Sequence, residues 1–211
     1  MGSTEESRLR SVLERSRDLG FLGPISIEDQ IAHAEGFALA LEEAGIAIPR
    51  RCIDLGSGGG LPGLVLAGIW TSTSMTLMDG SVRRCAFLEE ACADLGFGDR
   101  LNVRCGRAEE LAHLIELRGW ADLVVARSFG APPVLAECAA GFLEVGGHLL
   151  VSEPPQDSLA DRWPSEPLRT LGMGSAALVT SEPHMVAILQ ESTCPDRFPR
   201  RVGVPTKRPL F

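Results

Sequence analysis

The chain has 211 residues, 45% of them apolar and 23% charged, which suffices for one domain with a full core and is ordinary for a globular protein. A net charge of −8 and a pI of about 5.1 argue against a general nucleic-acid binder. Yet residues 197–211 carry five cations and no acid, leaving 15 Lys plus Arg against 28 Asp plus Glu, or −13, on residues 1–196; the basic end is a candidate phosphate contact. The six cysteines contain no C-x-x-C pair, so reduced thiols and no metal site are expected. The start lacks the form of a signal peptide, and the uncharged run 55–78 is broken by glycines, Pro62 and a Thr/Ser stretch, a poor membrane span. A cytoplasmic monomer without membrane contact is the expectation.

In chain order, apolar residues at helical spacing predict a helix over 8–19 and another over 28–44, the latter introduced by Ser26 with Asp29 three residues on. Cys52-Ile53-Asp54-Leu55-Gly56-Ser57-Gly58-Gly59-Gly60-Leu61-Pro62-Gly63 then reads as a buried strand, a glycine turn and the start of a helix over 64–70. Glycines permit positive φ and close approach of a ligand. The frame Gly58, Gly60, Gly63 satisfies a dinucleotide fingerprint, a weak pattern by itself. The frame beginning at Asp54 puts a carboxylate at the strand's end, which would repel a pyrophosphate and suits a cationic or hydroxylated group. That charge argument favours S-adenosylmethionine over NAD. A second strand, 74–79, ends in Asp79, 19 residues beyond Gly60 and near the spacing at which an acid reaches ribose hydroxyls. The plainer alternative is that Asp79 caps the following helix.

That helix is predicted over 82–95, followed by a strand over 101–105, a helix over 109–117, a strand over 121–126, a helix over 132–142 and a strand over 147–152. Residues 153–174 are Pro-rich and read as irregular. A strand pair over 176–180 and 185–190 closes the pattern. Alternating strands and helices make an α/β fold: a class I methyltransferase (Rossmann-like), mostly parallel, seven-stranded sheet with helices on both faces. It divides into an N-terminal helical cap (1–47), the S-adenosylmethionine-binding body (48–193) and a basic Pro-rich tail (194–211).

Four segments resemble the RsmG (GidB) family of 16S ribosomal RNA guanine-N7 methyltransferases. They are the glycine loop 53–63 with its Leu61-Pro62-Gly63 ending; Asp79-Gly80-Ser81-Val82-Arg83-Arg84-Cys85-Ala86-Phe87-Leu88; Gly106-Arg107-Ala108-Glu109 with the run from Asp122 to Arg127; and Phe198-Pro199-Arg200-Arg201 with Gly203, Pro205 and Lys207-Arg208-Pro209-Leu210. The resemblance implies S-adenosylmethionine contacts at Gly56, Leu61, Asp79, Ala108, Glu109 and Arg127, to which the turn itself adds Asp54 and Gly58. Glu109 would receive the adenine amino group, or else be only a helix-start acid.

The implied substrate is small-subunit ribosomal RNA or its assembly particle, touched by Arg200, Arg201, Lys207, Arg208 and His33, with Arg127 as a further substrate contact. His33 is open to an alternative at the methionine end of the cofactor. Two departures stand out: His33-Ala34-Glu35-Gly36-Phe37 keeps the family's His without its Asp-Ser pair, and Glu153-Pro154 replaces a Lys-Gly, putting an acid where the family has a cation. Guanine N7 has a free lone pair and no proton to lose, so no catalytic residue is assigned and positioning is the mechanism. The segment after the fourth strand, Ala126-Arg127-Ser128-Phe129, is not an Asn-Pro-Pro-aromatic amine-methylation motif. Two rivals remain: a diverged methyltransferase of small molecules, and a non-catalytic ribosome-binding relative.

Overall fold

Continuous apolar runs, with few polar residues to face water, become strands covered on both sides, as in parallel sheets. The computed structural model describes residues 3–154, 158–181 and 183–211; Met1, Gly2, Pro155 and Glu182, part of the leader, Pro-rich and hairpin readings above, lie outside them. The elements run α1 (Ser3–Asp18), α2 (Ile27–Glu43), β1 (Arg51–Leu55), α3 (Gly63–Ile69), β2 (Ser74–Asp79), α4 (Val82–Leu95), β3 (Leu101–Cys105), α5 (Ala108–Leu111), β4 (Ala121–Arg127), α6 (Pro132–Phe142), β5 (Leu143–Ser152), α7 (Leu159–Arg162), α8 (Ser165–Thr170), β6 (Ala177–Ser181), β7 (His184–Leu189) and α9 (Val204–Lys207). No described helix is long and apolar enough to cross a membrane.

The sheet has seven strands in the order β3-β2-β1-β4-β5-β7-β6. β1 pairs in parallel with β2, Arg51 opposite Ser74 through Leu55 opposite Met78, and with β4, Cys52 opposite Leu123. β7 runs antiparallel to both β5 and β6. The strand order reverses between β1 and β4, the switch point outside whose carboxyl ends open α/β sheets hold ligands.

Alternate strand residues feed two cores. Cys52, Met75, Leu77, Leu123 and Val125 pack with α1 to α4, while Ile53, Leu55, Met78, Val124 and Ala126 pack with α6 and α8. Leu9, Leu13, Phe37 and Leu41 share the first core with Leu64 and Leu88, so α1 and α2 complete one helical layer of the body. Ser26 accepts a 3.1 Å bond from the Asp29 amide at the start of α2, and α4 ends on Gly96 at φ 68°.

Two expectations fail for physical reasons. The helix expected over 109–117 stops at Leu111, and turns carry the chain on until Arg118 lies under the C-terminal segment, donating to the carbonyls of Cys194 (2.9 Å) and Phe198 (2.8 Å). The stretch 153–174 contains two short helices. Its prolines do not oppose them, because Pro164 is the N-cap of α8 and Pro167 lies in its first turn, where an N–H has no intrahelical partner. Trp163, Leu168, Leu171 and Met173 bury this segment against the second core.

Candidate active site

The turn after β1 is tied to β2. The amides of Gly56 and Ser57 donate to the Met78 carbonyl at 2.9 and 2.8 Å, and the Ser57 hydroxyl accepts from the Met78 amide at 3.1 Å. Asp79, at the end of β2, accepts from the Gly58 amide through Oδ2 (2.9 Å) and from the Ser81 amide through Oδ1 (2.8 Å). It therefore both braces the glycine turn and caps the approach to α4. Gly56 and Gly58 have φ of 79° and 56°, a region side chains disfavour. Their neighbourhoods differ: a Cβ on Gly56 would strike the Phe129 ring at 2.6 Å, whereas one on Gly58 would meet nothing closer than the Gly56 carbonyl at 3.7 Å. The space above Gly58 is left for something other than protein.

Two cavities flank this turn and meet at Gly56. The larger, about 540 Å³, is lined by Asp79, Ala108, Glu109 and Phe129, and on its far side by Thr206, Pro209 and Phe211. The smaller, about 220 Å³, is lined by Gly58, Leu61, Arg84, Arg127 and Gln30. Their combined size is that of a nucleoside-sized ligand site. Ser128 takes a left-handed φ of 56° just past β4, and so turns Arg127 into the smaller cavity and Phe129 into the larger. A non-glycine residue there is strained by about 1–2 kcal/mol.

Under the smaller cavity the polar groups are incompletely matched. Asp54 is fully buried, with Oδ2 accepting from the Gly63 amide at 2.9 Å and Oδ1 without a partner. Burial pushes its carboxyl up to about 7, against the opposing pull of bonds from Ser57 and Gly63. Arg127 donates to Gln30 Oε1 at 3.3 Å through Nη2, and its Nη1 is buried and unpartnered. His33 reaches Ser152 Oγ at 2.9 Å through Nε2, while its Nδ1 has no partner. Burial, and then the charge of Arg127, lowers the pKa of His33. Unpartnered buried polar atoms are costly, so their concentration beside an open cavity marks where a ligand's polar end belongs. With a cradle above Gly58 and a carboxylate and guanidinium awaiting partners, the residues present fit S-adenosylmethionine.

The structure thus gathers Asp54, Gly56, Gly58, Leu61, Asp79, Ala108, Glu109 and Arg127 around one turn. His33 stands beside Arg127 and lines neither cavity. Glu109 Oε1 already accepts from the Gly203 amide at 3.0 Å. Two expectations need correction. Arg200 is not a free phosphate contact, because its Nε and Nη2 donate to Glu137 Oε1 (2.8 Å) and Oε2 (2.6 Å), and Glu137 is fully buried in α6. The acid at Glu153 is paired with Arg162 of α7, which returns a cation to that end of β5. Arg201, Lys207 and Arg208 are exposed.

Sequence reasoning missed Phe129, Gln30, Thr206, Pro209 and Phe211. The only sequence signal for Phe211 was an aromatic residue in an otherwise basic, Pro-rich end.

A family profile described as GidB, rRNA small subunit methyltransferase G, matches residues 39–157. A ribosomal RNA small subunit methyltransferase G from Parasynechococcus marenigrum (strain WH8102) is 35% identical over 175 residues, covering 76% of this chain and 68% of the relative. One of the same description from Prochlorococcus marinus (strain MIT 9303) is 37% identical over 175 residues, covering 77% and 68%. Among solved structures, the O-methyltransferase from Bacillus cereus in complex with SAH superposes with a TM-score of 0.59 at 15% identity, over 87% of this chain and 90% of that one. At that identity the likeness concerns the fold, which is that of class I methyltransferases.

Proposed function

We infer the activity from the premise that this chain belongs to the rRNA small subunit methyltransferase G family, GidB. It transfers a methyl group from S-adenosylmethionine to N7 of a guanosine in 16S ribosomal RNA, as naked RNA or an assembly particle, and works as a cytoplasmic monomer. The observation that carries the reading is the pair of cavities around the Gly56–Gly60 turn, one walled by apolar groups and anchored carboxylates, the other lined by Arg127, whose Nη1 is buried without a partner.

When bound, the cofactor supplies an electrophilic methyl on a sulfonium. The protein's part is positional. Asp79, fixed by two backbone amides, presents its carboxylate to the ribose hydroxyls, and Ala108 and Glu109 border the adenine. Gly58 and Leu61 would border the methionine half of the cofactor, and Asp54 and Arg127 would hold its amino-acid end. Arg127, at the carboxyl edge of β4, also stands beside the incoming guanine. N7 would take the methyl with its own lone pair as the methyl–sulfur bond breaks and S-adenosylhomocysteine leaves, so no side chain needs to remove a proton, and His33, tied to Ser152, is not called on as a base. Exposed Arg201, Lys207 and Arg208 neutralise RNA phosphates.

The test supplies labelled cofactor with undermethylated small-subunit RNA, free and in particles, and maps the label by nuclease digestion and mass spectrometry. Label at N7 of one guanosine is the expected result. Label scattered over many bases, or found only in a metabolite extract, would remove the ribosomal assignment.

A further inference from the structure

The C-terminal segment has two faces that do different work. Inward, Thr206, Pro209 and Phe211 are a wall of the larger cavity, opposite Asp79 and Ala108. Outward, Arg201, Lys207 and Arg208 are exposed to solvent. Few residues separate the two faces, and α9 is only four residues long, too short to hold its own shape.

What holds the segment lies just before it and inside it. Arg200 is clamped on Glu137, His113 Nε2 lies 2.8 Å from the Pro199 carbonyl, and the Gly203 amide donates to Glu109 Oε1 at 3.0 Å. Beyond Gly203, Pro205 is buried, and Leu210 and Phe211 are half-buried against the second core. The segment is therefore fixed at its base by polar bonds, and farther on by apolar contacts at the rim of the cavity. Glu109 belongs at once to the cavity wall and to the strap's attachment.

We propose that residues 201–211 are a strap closing the nucleoside half of the cofactor site, with Thr206, Pro209 and Phe211 as cofactor-binding residues. RNA phosphates held on its outer cations tighten it, so that cofactor and RNA bind with positive mutual coupling. This rests on the S-adenosylmethionine reading of the cavity. The physical basis is continuity: a backbone that carries a phosphate site on one side and a ligand wall on the other loses its freedom once, and the second ligand to arrive meets a segment already ordered. By linkage the coupling is reciprocal, so RNA raises cofactor affinity by the same factor that cofactor raises RNA affinity.

The test measures S-adenosylhomocysteine binding calorimetrically to the full chain, with and without small-subunit RNA. Phe211→Ala weakens binding by about tenfold, the size of an aromatic contact with a base, in a chain that stays folded and whose unliganded melting temperature falls only slightly because the side chain is half-buried. Phe211→Leu, which keeps an apolar wall, recovers most of the loss. Small-subunit RNA tightens S-adenosylhomocysteine binding to the unaltered chain by roughly tenfold. The triple variant Arg201→Gln/Lys207→Gln/Arg208→Gln still binds S-adenosylhomocysteine and loses the RNA-induced gain. Undiminished affinity in Phe211→Ala overturns the wall, and an affinity indifferent to RNA in the unaltered chain overturns the coupling. A chain that binds RNA but no S-adenosylhomocysteine would instead overturn the cofactor reading beneath the proposal, and the strap with it.

Discussion

The two halves of the site are prepared differently. On the side of the larger cavity both Asp79 oxygens accept backbone amides and Glu109 Oε1 accepts the Gly203 amide, so the carboxylates are oriented before any ligand arrives. On the Arg127 side Asp54 Oδ1, Arg127 Nη1 and His33 Nδ1 are buried without partners. The cause is position along one sheet edge. β2 ends against the glycine turn, where the Gly58 amide donates to Asp79, whereas Arg127 at the end of β4 meets a Gln30 oxygen of α2 at 3.3 Å. One half presents carboxylates already held by backbone amides; the other keeps buried polar atoms without partners, a demand that a ligand with charged ends would relieve.

The largest effect expected breaks the prepared half from a distance. Arg200→Ala leaves Glu137, fully buried, without its cation and should destabilise the fold by about 3–5 kcal/mol, measured by urea denaturation at pH 7. Because Arg200 anchors the wall of the larger cavity, S-adenosylhomocysteine affinity should fall in the fraction that still folds. A loss of stability well under 1 kcal/mol would mean that Glu137 finds water or another donor.

Asp54 tests the other half through pH. Its folded carboxyl titrates at about 7 against an ordinary value of 3.8, so the fold favours the protonated form. The stability that form contributes is fully present below 3.8 and is lost as pH rises through about 7. Asp54→Asn, neutral throughout, should melt with the unaltered chain near pH 4 and gain on it up to about pH 7, levelling off above at an advantage on the order of a few kcal/mol. Parallel melting curves across that range would show that Asp54 is not strained by burial.

The smallest effect sharpens the contrast at one residue. Asp79→Ala removes the acceptor for two backbone amides as well as the proposed ribose contact, so it should cost about 1.5–3 kcal/mol in S-adenosylhomocysteine affinity, the range for hydrogen bonds to a charged group. An analogue lacking both ribose hydroxyls should lose much less. Equal losses for the two ligands would reduce Asp79 to a brace for the turn.

Much of this architecture was legible because its causes are local. The α4 and α6 boundaries follow from apolar spacing, Gly96 and the Pro132-Pro133 start, and match the structure residue for residue. The helices at Leu159–Arg162 and Ser165–Thr170 were hidden because proline reads as a breaker, although at an N-cap or in a first turn it costs no hydrogen bond. The helix expected over 109–117 was lost to a demand from elsewhere in the chain, the carbonyls that Arg118 serves.

The sequence by itself determined the alternation of strands and helices, the turn at Gly56–Gly60 and the acid at Asp79, because buried parallel strands, positive φ and short connections leave marks within a few residues. Only the tertiary structure decided which charges are available to a ligand. Arg200 looked like its basic neighbours until the fold brought it to Glu137, 63 positions away, and Glu109 met Gly203 across 94. Contacts of that length have no periodicity or spacing to read. They follow from how the last segment packs across the finished sheet, and they make it a wall of the site rather than a tail.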